Sequence, residues 1–502
     1  MTRVSPQLRR DAFATRAAFV ADASVNTLPN GYEVVAGGYA YRRNSASTAL
    51  PDKAGWDPVA PYHLEHWGIV TASTAAAATT DYTTQVQAAF NAAQGDLLFT
   101  GWVHITDAVT LPATCRPDSV CGRDRGGFAI STDFNLAATG VLILPVSDGC
   151  EIARFGFEFT QAAAAASGLR GDLVAYPPAI NMGAATRATL GEIRILRGID
   201  GIVGEGNCGG AKIGIIESGC FGRNVVIDGA LDFVHVESIH VWPFGFADDA
   251  NLTGILYDGI GRALVLKKCD GWACDKLGTF RVPVEIAYPD THLPAVFDTV
   301  QLDGNGSDLL ASVGRVMIGK LYATRGTHTG AGIQITGANV NVGQIVIASS
   351  TDPEILVSAG RLAINGGTMT SLHLDRVFAR VTGGDLSMTG VVLSWPSTGG
   401  ARTVPMIDQT GGWLNLAGCH PTLTTPTSPV IAIATDSLRN FVDASGLQPH
   451  TMALPVGALV GDYRTGPLTP LATYADNAAA VSAGLPVGRP YKTATGEVRV
   501  RV

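Results

Sequence analysis

The sequence predicts an all-β chain: a right-handed parallel β-helix with a short N-terminal capping helix and small modules at its two ends. Three observations lead there. From about Leu97 to Val392, short apolar or alternating runs divided by Gly, Asn and Asp follow one another, with few helical periods between them. Glycine is abundant, 60 of 502 residues, and only 16% of residues are charged. Turns are therefore supplied throughout, while Val, Ile, Ala, Leu and Thr fill the strands. Lastly, only two Asn-Gly pairs, Asn305-Gly306 and Asn365-Gly366, fall among these runs. An antiparallel sandwich would want a hairpin signal between most of its strands. In a β-helix each coil instead contributes two or three short strands, and equivalent positions stack ~4.8 Å apart.

Residues 1–65 read as a separate module. Pro6 to Ala21 can form a helix with Leu8, Phe13, Ala17 and Phe19-Val20 on overlapping faces. Asn30-Gly31 is a turn signal, followed by extended runs at 32–35 and 39–42. The stretch from Asn44 to Pro61, with Pro51, Pro58 and Pro61, reads as a linker. His66-Trp67-Gly68, an Ala/Thr-rich insert and Asp81-Tyr82 then lead into a helix that Thr83 or Thr84 would cap, with Val86, Ala89, Phe90 and Ala93 on one stripe. That stripe would cover the first coil, because the open end of a β-helix exposes unpaired backbone and apolar side chains. Leu97-Leu98-Phe99-Thr100-Gly101 opens the coils, which are expected to occupy 66–425. A Thr/Pro-rich break at Pro421–Pro429 begins a last module, 426–502, with a few strands, a short Ala-rich helix capped near Asp476 and a terminal strand pair.

Several classes are disfavoured. No apolar run approaches the ~18–20 residues that span a bilayer, so no membrane insertion is expected. Met1 to Phe19 carries Arg3, Arg9, Arg10 and Arg16 without a compact apolar core, which does not read as a secretory signal. A net charge of −8 without a basic stripe argues against nucleic acid. The eight cysteines are irregularly spaced in a long chain and read as buried or partly buried thiols. The pairs His63/His66 and His235/His240 lack a third ligand at useful spacing, so no metal and no cofactor are expected. Gly204-Glu205-Gly206 lacks the strand–turn–helix setting of a dinucleotide fingerprint, and no Gly-x-Ser-x-Gly nucleophile elbow occurs.

The order from His66 to Gly122 resembles the entry segment of phage tailspikes and other pectate-lyase-like β-helix proteins: roughly His-Phe-Gly-Ala, Asp-Gly-x-Thr-Asp-Asp-Thr, a helix, and then a Gly-punctuated first coil. Here the paired Asp before the helix is reduced to Asp81, and the insert separates it from His66. His240-Val241-Trp242-Pro243-Phe244-Gly245 resembles a segment of β-helical phage spikes in which a strand leaves the helix to form a surface loop. Val236, Ile239 and Val241 would be its apolar side, with a bulge, and Pro243 would end it. The run from Tyr474 through Leu485-Pro486-Val487-Gly488 to Gly496 resembles a C-terminal element of phage virion proteins. The resemblance implies a phage or prophage spike, folded in the host cytoplasm, carried on the virion and homotrimeric. Residues 1–65 would attach it to other virion proteins. It would bind a bacterial surface glycan, capsule or lipopolysaccharide, as host receptor, and would depolymerise it if it is an enzyme. A non-catalytic receptor-binding or capsid-decorating spike is a second reading. A cell-encoded polysaccharide lyase or glycosidase is a third, against which the missing signal peptide counts.

Candidate site residues concentrate in 228–290, where carboxylates and aromatics mix as a glycan groove requires. Glycoside hydrolysis needs two carboxylates, about 5–5.5 Å apart for retention or 6.5–9.5 Å for inversion, and stacked coils can set either spacing. Asp248, Asp249, Asp270 and Asp275 are the candidate catalytic residues, each in an expected loop near an aromatic. Trp242, Tyr257 and Trp272 are the candidate substrate-binding residues, with Trp242 and Trp272 expected to form a ladder on one face. Acidic residues at turns also serve to satisfy backbone N–H groups, so each carboxylate has a structural reading beside the catalytic one.

Overall fold

The computed structural model divides at Pro283 and Val284 into two units. It describes residues 11–124, 126–146, 149–289, 293–306, 308–326, 330–373, 375–394 and 404–421, together with 431–433, 441–443, 452–453, 460–461, 474–484, 490–492 and 498–500. Both units are built on strands that pair in parallel with the strand one coil away, which makes the chain a parallel β-helix.

The first unit opens with a small module whose core is aromatic. Arg16–Ala21 is helical, capped by Thr15, whose hydroxyl accepts from the Ala18 amide at 3.1 Å. The expected helix is thus shorter than its apolar pattern suggested. Asp11–Phe13 is a strand instead, paired in parallel with Glu33–Ala36, which lets Phe13 approach Phe19 at 5.7 Å. Leu8 lies outside the described residues. Glu33–Ala36 and Tyr39–Arg43 form the expected antiparallel pair. The supposed linker is not one: Trp56–Pro58 adds a further strand to Tyr39–Arg43, and the buried Trp56 ring meets Phe19 edge-on at 5.2 Å. A large aromatic that fills a core outweighs the proline content around it.

His66 joins this module to the first coil. Its carbonyl accepts from Arg16 Nε at 2.7 Å, while the same guanidinium forks Asp52 at 2.7 and 2.6 Å. The His66 ring is fully buried among Tyr39, Tyr41 and Trp67, and its Nδ1 accepts from the His63 amide at 3.0 Å. A boundary at residue 65 therefore cuts through packed side chains. Tyr62–His63 already pairs with Gly95–Phe99, which pairs in turn with Cys115–Ser119.

The capping helix is Thr83–Ala92, with Val86, Ala89 and Phe90 buried. Its cap residue is Tyr82, and neither threonine performs the expected role; Asp81 accepts from the Thr83 amide at 3.0 Å and from its hydroxyl at 2.6 Å. Burial pushes the Asp81 carboxyl up, but these hydrogen bonds outweigh it and hold the group below its ordinary range. Asp81 therefore works as a structural cap. Below the helix, Phe90, Phe99, Phe128, Phe155 and Phe157 pack as a chain of ring contacts, the tightest being Phe99–Phe155 at 4.8 Å.

One sheet of this unit stacks Trp102–His104, Gly127–Ile130, Glu151–Phe159, Thr189–Leu196, Lys212–Gly219, Ala230–Val241 and Cys269–Phe280, all in parallel. A second stacks Val109–Thr110, Leu142–Ile143, Ile180–Asn181, Ile202–Glu205, Arg223–Asp228 and Arg262–Leu266. Coil approach is close enough that Gly127, at φ +146°, admits no side chain: a Cβ there would run into the Gly156 carbonyl. The corner at Cys220 is closed by the buried Asn224. Its Oδ1 accepts from the Cys220 amide at 2.9 Å and the Ser218 hydroxyl at 2.6 Å, and its Nδ2 donates to the Arg262 carbonyl at 2.9 Å. Seven of the eight cysteines are buried; Cys121 is exposed.

In the second unit Ile333–Ser349 serves three sheets in succession. Its first residues pair with Leu309–Val313 and Ile355–Ile364. Its middle pairs with Arg315–Arg325 and again with Ile355–Ile364, and its end pairs with Arg315–Arg325 and Gly367–Ser371. Parallel pairing passes the expected limit at 425: Ile431–Ile433 pairs with Met452–Ala453, and Phe441–Asp443 with Val460–Gly461. The last elements are a helix, Asn477–Ser482, capped by Asp476, and the antiparallel pair Pro490–Lys492 and Val498–Val500. Among the described residues no helix is long and apolar enough to cross a membrane.

Burial pushes the His66 pKa down to about 4 from an ordinary 6.5. The unfolded chain thus takes up a proton as pH falls below 6.5, while the folded chain resists until about 4. Stability contributed by this residue is complete above pH 6.5 and is lost as pH falls through that window, by roughly 3 kcal/mol at about 1.4 kcal/mol per unit. Unfolding followed by tryptophan fluorescence between pH 7 and 4 should show the loss, and His66→Gln should flatten it; parallel profiles for the two proteins would contradict the assignment.

Candidate functional site

Alternation along each strand decides which side chains leave the coil, and register decides which of them meet. Arg194 pairs with Glu217, Glu217 with His240, and His240 with Gly278. These four positions form an outward column on consecutive coils, about 4.8 Å apart. The chain runs on from Val241 to Pro243, both buried, so Trp242 and Phe244 emerge half-buried on the same side as His240. Trp242 meets Phe280 at 4.5 Å, and Tyr257 meets Phe280 at 5.4 Å. Phe244 takes the His240 ring edge-on at 5.0 Å and lies under the Arg194 guanidinium at 5.6 Å. Arg281 lies over Tyr257 and Phe280 at 5.4 and 5.9 Å. The result is an outward surface of two groups of rings and guanidinium planes, Trp242–Phe280–Tyr257–Arg281 and His240–Phe244–Arg194.

The charges beside it are partly committed. Arg123 donates through Nη1 to Glu192 at 2.5 Å, and through Nη2 and Nε to both oxygens of Glu217 at 2.7 and 3.3 Å. Two carboxylates are thereby brought to one guanidinium. Arg194 is looser, 3.7 Å from Asp124 and 4.0 Å from Glu217. Burial lowers the His240 pKa against the opposing pull of Glu217, and burial raises the Tyr257 hydroxyl to about 12 against Arg281. Both rings are therefore neutral near pH 7, as surfaces for stacking on a sugar should be.

The sequence-predicted residues separate. Trp242 and Tyr257 come together on this surface through Phe280, an aromatic of the same region that is not one of the three candidate substrate-binding residues. Trp272 does not join them. It pairs with Val234 on the inward side and is 0% exposed, so no ladder with Trp242 exists and no face is left for a ligand. Asp248 and Asp270 are exposed. Asp249 is the N-cap of the helix Ala250–Leu256, accepting from the Asn251 and Leu252 amides at 3.1 and 3.0 Å. Asp275 pairs with His235 at 3.1 Å. The four aspartates thus fall into three different settings, and the two carboxylates brought to one guanidinium beside this surface are Glu192 and Glu217. The strand parity that exposes Lys276, Gly278 and Phe280 could have found Phe280; the convergence of residues 123, 192 and 217 had no signal in the sequence. The register irregularity in Ala230–Val241 lies between Ala230 and Phe233, and Glu237 and Ser238 both stay out of the core before the buried Ile239.

A separate cavity of about 300 Å³ is walled by Ala75 and Ala76 of the insert and lined in part by His104, Asp133, Glu158 and Arg197. His104 Nε2 lies 3.1 Å from Asp133, which also accepts from Ser131, and Arg197 pairs with Glu158 at 2.5 Å. Its charges are paired within the cavity. Among the described residues no group of three or more His, Cys, Asp or Glu is gathered to hold a metal ion.

By its own pairing the chain is a parallel β-helix bearing an outward aromatic and charged surface. No family model matches it, and no curated protein matches it in sequence. Among solved structures, the gp42 tailspike of Acinetobacter phage vb_AbaP_AS12 superposes with a TM-score of 0.45, covering 93% of this chain and 80% of that one at 8% identity.

Asp249 supports the site indirectly, since its helix ends at Tyr257 and is pinned by Asn251 Nδ2 donating to the Ala165 carbonyl at 2.8 Å. Asp249→Ala should lose about 1 kcal/mol in denaturant unfolding, and Asp249→Asn much less. Asp248→Ala should stay within about 0.5 kcal/mol. An equal loss at both positions would remove the capping assignment.

Proposed function

We propose that this protein is a tailspike-like virion spike that grips a bacterial surface polysaccharide, capsule or lipopolysaccharide, as host receptor. The observation that carries the reading is the outward surface of Trp242, Phe280, Tyr257 and Phe244 beside the Arg194–Glu217–His240 column. Half-buried rings offer apolar faces for sugar stacking, and the neighbouring polar column offers hydrogen bonds that fix orientation. The resemblances at His66–Gly122, at His240–Gly245 and near the C-terminus support the virion assignment, with residues 1–65 as the attachment module.

Gripping is favoured over cleavage at this surface. Glycoside hydrolysis needs one carboxylic acid free to hand its proton to the leaving oxygen. Glu192 and Glu217 instead accept hydrogen bonds from Arg123. Depolymerisation remains the second reading of the same fold, and the two part on product. Purified capsules and lipopolysaccharides should bind without release of new reducing ends or unsaturated sugars, and Trp242→Ala should weaken binding roughly tenfold. New sugar ends would make the protein a depolymerase; failure to bind any glycan would remove the receptor reading.

A homotrimer is part of this proposal. Tyr322 and Val346 stand in register on neighbouring coils with exposed side chains, apolar surface that a second copy would cover. Light scattering should give three times the 52.1 kDa chain mass; the mass of one chain would contradict it.

A further inference from the structure

We propose that the bound glycan is acidic and that Arg194 holds the carboxylate of its uronic acid residues; this rests on the glycan-gripping reading above. Outward arginines of the first unit are typically satisfied by the chain itself. Arg154 forks Asp118 at 2.8 and 2.9 Å, and Arg223 forks Asp200 at 3.1 and 2.6 Å and reaches Glu205 at 2.9 Å. Arg194 is different. It makes no hydrogen bond among the described residues, and its Nε is buried without an acceptor. Its two nearest carboxylates, Asp124 and Glu217, stand off at 3.7 and 4.0 Å, and Glu217 is hydrogen-bonded through both oxygens to Arg123 instead. The cation nevertheless lies in place, over Phe244 at 5.6 Å, with its side chain 18% exposed.

A guanidinium carries five N–H donors in a planar fork that matches a carboxylate bidentately, and it sheds water more readily than an ammonium. Stacking on Phe244 holds the stem while the fork remains unassigned. Trp242, two residues beyond His240 on the same run of chain, offers a ring on which the sugar bearing the carboxylate would stack. A neutral glycan would use the rings and leave the fork to water; an acidic one uses both.

The test is an array of bacterial polysaccharides of known composition: uronate-bearing, phosphate-substituted and neutral. Each uronate-bearing polymer is also printed after chemical reduction of its carboxylates to primary alcohols. The expected hits are uronate polymers, weakened about tenfold or more by reduction. Arg194→Met should lose the same factor on the native polymer and little more on the reduced one, and Arg194→Lys should recover part of the loss. Trp242→Ala should weaken both polymers alike. Because the reduction arm uses the unaltered protein, it stands even if a variant folds poorly. Equal binding of native and reduced polymer, or hits confined to neutral or phosphate-substituted polymers, would overturn the carboxylate assignment and leave the gripping reading intact. Binding to none of the polymers would remove that reading, and this inference with it.

Discussion

The constraint on which everything else depends is strand parity held in register from coil to coil. Phe155, Ile193, Ile216, Ile239 and Leu277 pair in succession and are all buried, while the residues one step on from the last four, Arg194, Glu217, His240 and Gly278, pair in succession on the outward side. A slip of one residue in any of these strands would send its charges inward and its core side chain into water. Burial of a Leu or Ile stabilises by about 1.5–3 kcal/mol, so several such side chains per coil hold the register firmly. The outward surface is the other half of the same pattern. Its geometry is set without any interaction of its own having to be strong.

Two polar groups in the interior show how burial is answered by specific partners. Asn224 satisfies the corner backbone around Cys220 and Arg262 in the first unit. In the second unit Arg325, at an inward position, is wholly buried beside Glu354 at 3.3 Å and Asp308 at 2.8 Å, and the Ser349 hydroxyl donates to Glu354 at 2.8 Å. Burial raises the Glu354 pKa despite the adjacent Arg325. Such a group is weak evidence for stability, since desolvation can match the attraction, yet removing one partner leaves a costly buried charge. Its effect is to make the local register specific: an arginine at that parity has one place in the stack where its countercharges wait.

The fold was legible in the sequence because its rules are local. Short runs, glycine turns and a helix with one apolar stripe each arise from residues near one another, and the Asp81-to-Phe90 segment announced the cap. What failed did so for non-local reasons. Trp56 lay in a proline-rich stretch that composition reads as linker, and only its packing on Phe19 shows it to be core. Trp272 was matched to Trp242 by residue type and distance along the chain, whereas the sheet matches it to Val234 by register. Asp249 looked catalytic beside aromatics and is a helix cap. The meeting of Arg123 with Glu192 and Glu217 spans three coils, and no spacing rule foretells which turn residue leans over which strand.

That last meeting decides what the face is suited to do. Two glutamates near one another invite a hydrolytic reading, but proximity is a necessary condition and not a sufficient one. A hydrolase must keep its two carboxylates in unlike settings, one able to carry a proton and one not. Here a single guanidinium contacts both, Glu192 through one oxygen and Glu217 through two. One coil from Glu217, Arg194 is stacked on Phe244 with its Nε lacking an acceptor and its nearest carboxylates at 3.7 and 4.0 Å. This part of the surface therefore carries unmet hydrogen-bonding demand. A binding function for the face rests on that imbalance more directly than on the aromatic rings alone.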